Sequence, residues 1–172
     1  MSALIRAALA IVVAFAACKP ESARQAERAA EDVLEQRADL KEAAQAEPTK
    51  VAAESKELSA AAQKFTEKKR IRIAALRGEH SVIATQVKLI STMSEYFPIT
   101  DAGRADINNK LSAFQVKLDE ATNQIEGLAG AAADRFGERD DAVQDAMDAL
   151  ETARKSAWRA LQDAPRIHPD AS

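Results

Sequence analysis

Between Ile107 and Leu128 the apolar residues Ile107, Leu111, Phe114, Leu118, Ala121, Ile125 and Leu128 follow one another in alternating steps of four and three. That spacing lays all seven along one stripe of an α-helix, and so long a stripe must be buried against other helices. Strand-like alternation of Val, Thr and aromatic residues is missing. Only 4% of the chain is aromatic, and much of its 47% hydrophobic share is alanine, the strongest helix former. The expected fold is all-α: an antiparallel helical bundle, or a long helical hairpin of coiled-coil type, with Ala-rich N-terminal helices. Alanine buries little area, so stability must come from long, regular helix contact.

Breakers divide the pattern. From Pro20 to Ala46 the stripe is weak, with Val33 and Leu40 seven apart and Ala26, Ala30 and Ala44 on the same face. Glu47-Pro48-Thr49 ends that helix, because proline drives the residue before it out of the helical region. A second helix runs from about Lys50 to Phe97. Its heptad sets, Val51-Leu58-Phe65 and Leu76-Ile83-Ile90-Phe97, are separated by an 11-residue step that reads as a stutter. Pro98 and the run Thr100 to Gly103 make the next turn, with Thr100 or Asp101 as helix N-cap. Gly127, Gly130 and Gly137, with the seam resuming out of phase at Phe136, Val143, Leu150 and Ala157, mark another turn, and Pro165 stops the last helix.

The segments Ile71 to Phe97, Gly103 to Leu128 and Phe136 to Leu161 are each about 26 residues, roughly 40 Å of helix. Equal rods joined by short loops favour an up-down-up antiparallel bundle. The expected organisation is a leader over 1–17, an Ala-rich stalk or hairpin over 18–70, a three-helix bundle over 71–164 and a tail over 165–172. The rival keeps the chain straight through Gly127 to Gly137 and makes one long hairpin with the second helix.

At the N-terminus Arg6 precedes the uncharged run Ala7 to Ala17, which ends in small residues directly before Cys18, the single cysteine. This is the layout of a secretory signal peptide, and it falls short of the roughly 20 apolar residues that span a bilayer. Phe15-Ala16-Ala17-Cys18 resembles the lipobox of the bacterial lipoprotein class, which prefers Leu, a small residue, Gly or Ala, then Cys; Phe15 stands where Leu is preferred. The resemblance covers about the first 20 residues. It implies cleavage ahead of Cys18, acylation of that residue and membrane anchoring by its lipid. Lys19 in the place of an aspartate resembles lipoproteins delivered to the outer membrane, facing the periplasm.

Chemistry is sparse in the rest of the chain. His80 and His168 are far apart, and there is no Gly-rich phosphate loop, HExxH, CxxC or nucleophile turn. No enzyme, cofactor, metal site or small-molecule substrate is expected. A net charge of -3 argues against nucleic acid as a partner. Two charged features stand out. Asp134, Glu138, Asp141, Asp145 and Asp148 recur in steps of four and three on a face pointing away from Val143, Met147 and Leu150. That face is either solvated or a docking surface for a basic partner or cations. Lys64, Lys68, Lys69, Arg70 and Arg72, with Arg77, coincide with the stutter and are either a plain surface feature or a contact for anionic lipid, lipopolysaccharide phosphate or peptidoglycan carboxylates. His80 reads as a half-buried bundle histidine. Trp158, near Arg154 and Arg159, either closes the bundle end or forms a contact patch.

The function expected is that of a lipid-anchored cell-envelope protein with a structural, spacer or interaction role. Its contacts would be the membrane through Cys18 and a protein partner or a second copy. Alternatives are a periplasmic binding or inhibitor module and a membrane-active helical bundle.

Overall fold

The computed structural model describes residues 19–167. The leader, Cys18, His168 and most of the expected tail lie outside the described residues. Four helices follow in order: α1 Glu21–Ala46, α2 Val51–Tyr96, α3 Asp101–Gly130 and α4 Phe136–Asp163, with single 3-10 turns at Pro48–Lys50 and Ala133–Arg135. The all-α helical bundle read from the apolar spacing is the fold observed.

Each boundary has a local cause. Pro20 precedes α1 with φ -54°, and its carbonyl accepts from the Ala23 and Arg24 amides at 3.0 and 3.1 Å. α2 stops just before Pro98, with Phe97 extended at φ -83° and ψ 142°. Thr100 is the cap of α3, its hydroxyl accepting from the Gly103 amide at 3.3 Å. Between α3 and α4 the backbone of Ala131 and Ala132 is extended, with ψ of 136° and 168°. The chain therefore turns there, and the straight helix of the rival hairpin is not formed.

α2 is the spine, 46 residues long and so about 69 Å. α1 folds back along its first half. The contact is built from small side chains: Ala23, Ala26, Ala29, Ala30 and Val33 are all buried. α3 runs back along the second half of α2, and α4 returns beside α3. At the far end the chain is tied by main-chain hydrogen bonds, Thr100 N to Pro165 O at 3.0 Å and Ile167 N to Pro98 O at 2.7 Å. Leu76, Ile90, Ile107, Leu128, Val143, Leu150 and Leu161 fill the interior between α2, α3 and α4.

Gly103 is required by close approach. A Cβ there would stand 2.8 Å from Ile99 Cγ2 and 3.2 Å from Pro165 Cδ. Gly103→Ala is expected to cost about 1–3 kcal/mol through overpacking. Gly127, where nothing lies within 4 Å of the place an added methyl would take, should behave oppositely, with Gly127→Ala gaining up to about 1 kcal/mol in helix propensity. Thermal melts of the two variants check the contrast.

Candidate interaction surface

The 11-residue step between Phe65 and Leu76 resolves into steps of four, three and four once Lys69 and Arg72 are counted. Both cations occupy contact positions of α2, and each is engaged by a different helix. Arg72 is fully buried and donates from Nε to Asp140 Oδ1 at 2.8 Å and from Nη2 to Gln144 Oε1 at 3.3 Å. Asp140 is equally buried, at 1% exposure. Lys69 Nζ donates to the carbonyls of Ala129 and Ala131 at 3.1 and 2.9 Å, capping the C-terminal end of α3 where a cation also suits the helix dipole. The same ammonium lies 5.4 Å from the centroid of the Phe65 ring.

The remaining cations of that run are also engaged within the chain. Lys64 pairs with Asp32 at 2.5 Å, Lys68 donates to Gln25 at 3.1 Å, and Arg70 grips Glu67 through Nε and Nη2 at 3.0 and 2.9 Å. Of the five residues expected as an anion contact, Lys64 and Lys68 reach to α1, Lys69 to the end of α3 and Arg72 into the core, while Arg70 stays on its own helix, so the five do not make one surface. Arg77 is exposed.

The acidic stripe is at the surface throughout: Asp134 in the turn before α4, and Glu138, Asp141, Asp145 and Asp148 on α4, are all at least partly exposed. Three have partners. Arg135 Nε meets Glu138 at 2.9 Å, Lys19 Nζ meets Asp141 at 2.7 Å, and Gln144 Nε2 donates to Asp148 at 3.2 Å. Lys19 also pairs with Glu27 of α1, so it joins the start of α1 to the start of α4. The Asp141 and Glu27 carboxylates hold its ammonium well above the usual lysine range. Among the described residues no group of three or more His, Cys, Asp or Glu side chains is placed to hold a metal ion.

His80 is half-buried, its Nε2 3.3 Å from the Leu118 carbonyl and 3.1 Å from Thr122 Oγ1. Trp158 is half-buried against the core. Arg154 leans onto Glu151 with two hydrogen bonds of 2.6 Å. Partial burial pushes the Glu151 carboxyl up, but the Arg154 hydrogen bond and charge outweigh it and hold the group below its ordinary 4.5. A carboxyl depressed by folding adds stability above its unfolded value and loses that contribution as pH falls through the folded one. Glu151→Gln is therefore expected to flatten the loss of stability below about pH 4.5, as urea unfolding between about pH 6 and pH 3 would register.

One exposed feature was not singled out by the sequence pattern. Val82, Leu89 and Tyr96 are 57%, 56% and 82% exposed, and they stand seven apart, each one residue before a member of the inward-facing set Ile83, Ile90 and Phe97. No helix of the described chain is long and apolar enough to cross a membrane. Comparison with protein-family models, with curated proteins and with solved structures finds no match.

Proposed function

We propose that the chain is a lipid-anchored protein of a bacterial cell envelope, exported by the leader over 1–17, fastened through acylated Cys18 and engaged in protein contact rather than catalysis. The observation that carries the reading is Phe15-Ala16-Ala17-Cys18 behind an apolar run of signal-peptide length. Two or more acyl chains, at about 0.8 kcal/mol per buried methylene, suffice for stable anchoring. Lys19 after Cys18 suits delivery to the outer membrane, with the rod in the periplasm.

The geometry of the first described residues supports this reading and refines it. Lys19 is exposed and α1 begins at Glu21, so only Lys19 and Pro20 separate Cys18 from rigid helix, a reach of about 7 Å. Lys19 is held by Asp141 and Glu27, beside the part of α2 that carries Lys69 and Arg72, near the middle of that helix. A rod tethered so tightly at its waist lies along a bilayer. It does not stand away from it as a spacer would.

Replacing residues 1–18 with a secretory leader that is cut without lipidation, so that the exported chain lacks both the apolar run and Cys18, is expected to move the protein from the membrane fraction to the soluble periplasmic fraction. Retention of the variant in salt-washed membranes would refute lipid anchoring at this residue.

A further inference from the structure

The hairpin of α1 and α2 is long, but its outer half has almost no core. Among the side chains of residues 34–63 that the structure describes, Ala43 alone is buried. α4, of much the same length, buries eight, among them Phe136, Val143, Leu150 and Leu161. The larger apolar residues of the outer half do not make up the difference: Leu34 is 40% exposed, and Leu40, Val51 and Leu58 are half-buried. The packing that holds α1 down ends with Ala23, Ala26, Ala29, Ala30 and Val33 on one helix and Phe65 on the other. The side-chain ties between the two helices, Lys64 to Asp32 and Lys68 to Gln25, lie on the body side of that limit as well.

Gln36 adds a penalty to closing the outer half. The residue is half-buried, and its Oε1 is shielded from solvent without a hydrogen-bond partner in the described structure. Closing the hairpin therefore strips water from an oxygen and gives it no donor in exchange, which is the costly side of hydrogen-bond formation. Against that stand one buried alanine and a few half-covered apolar side chains, while the ordering of the chain must also be offset. Residues 34–46 make only about 20 Å of helix. A helix that short is marginal in water once its packing is gone.

We propose that residues 34–46 and 51–63 are an arm that opens on its own. Residues 34–46 leave α2 and lose their helix, while the inner half of α1 and the bundle of α2, α3 and α4 stay folded. Val33 and Phe65 mark the level of the hinge. Closed and open arm are two states of one folded protein, and elements of such low local stability are the ones that rearrange on binding. The arm is set by α1 and α2 alone and does not depend on the state of Cys18.

Trp158 is the single tryptophan and lies in α4, half-buried against the core. Its fluorescence reports the bundle, whereas far-UV circular dichroism reports every helix. In a urea titration of the full chain the helix signal is expected to fall well before the Trp158 transition, because a single cooperative unit would lose both together. Amide exchange should place that early loss in residues 34–46, with opening at least about 100-fold more frequent there than over residues 107–125. Ala43→Asp should shift the early loss to lower urea. Gln36→Leu, which removes the orphaned oxygen and adds apolar contact, should shift it to higher urea. Both should leave the Trp158 midpoint in place. Coincident transitions by the two probes, a smaller exchange ratio, or a Trp158 midpoint that moves with Ala43→Asp would overturn the independent arm.

Discussion

Asp140→Ala is expected to lower the unfolding free energy by about 3–5 kcal/mol, because it leaves the Arg72 guanidinium buried without a counter-charge. Both side chains are 1% exposed and meet at 2.8 Å. Arg72 has little else to turn to, since Gln144 accepts from Nη2 at 3.3 Å and Nη1 has no hydrogen-bond partner in the described structure. The comparison that isolates the mechanism is the double replacement Arg72→Met/Asp140→Leu. Removing both charges and filling the space with apolar atoms should restore the lost stability and leave the protein equal to, or up to about 4 kcal/mol more stable than, the parent. Urea unfolding of the parent, both single variants and the double variant gives the coupling directly. A loss below about 1 kcal/mol for Asp140→Ala, the size typical of an exposed pair, would mean that water reaches the pair.

Phe136→Ala should cost about 3–5 kcal/mol as well, through the cavity it leaves. Phe136 opens α4, is fully buried and meets Phe65 of α2 edge to face, with ring centroids 5.4 Å apart and planes at 89°. Around it the α1 side of the junction is built from alanine, which has no side-chain length to swing into a gap. Phe136→Leu retains much of the volume and should lose markedly less. Because Phe65 lies in the part of α2 flanked by α1 while α4 belongs with α3, the same substitution should also loosen α1. Amide exchange in α1 rising with Phe136→Ala but not with a distant core change such as Leu161→Ala would demonstrate that coupling.

Much of the fold was legible in the sequence because the relevant signals are local. The seam from Ile107 to Leu128, the prolines at 48, 98 and 165 and the Thr100 cap each act within a turn or two of where they stand. The acidic stripe was legible for the same reason: its five residues fall off the positions Phe136, Val143, Met147 and Leu150, and none is buried. The buried ion pair was not, because its halves are 68 residues apart and a lone charge does not announce its partner. A trace was present nonetheless. Arg72 and Asp140 each sit where an apolar residue belongs in a four-three seam, Arg72 four before Leu76 and Asp140 four after Phe136. Two charges of opposite sign at seam positions on packed helices invite pairing. The exposed strip of α2 was hidden by its neighbour. Ile83, Ile90 and Phe97 and the set Val82, Leu89 and Tyr96 share one period, and spacing alone does not tell which of two adjacent sevens faces the core.

The anchored rod stands or falls on the state of Cys18, and mass spectrometry of the protein purified from its native membrane reads that state directly. The expected result is a chain beginning at Cys18, lacking Met1 to Ala17, with its first residue heavier by the mass of its acyl chains. A chain that still begins at Met1 and carries an unmodified Cys18 thiol would contradict it.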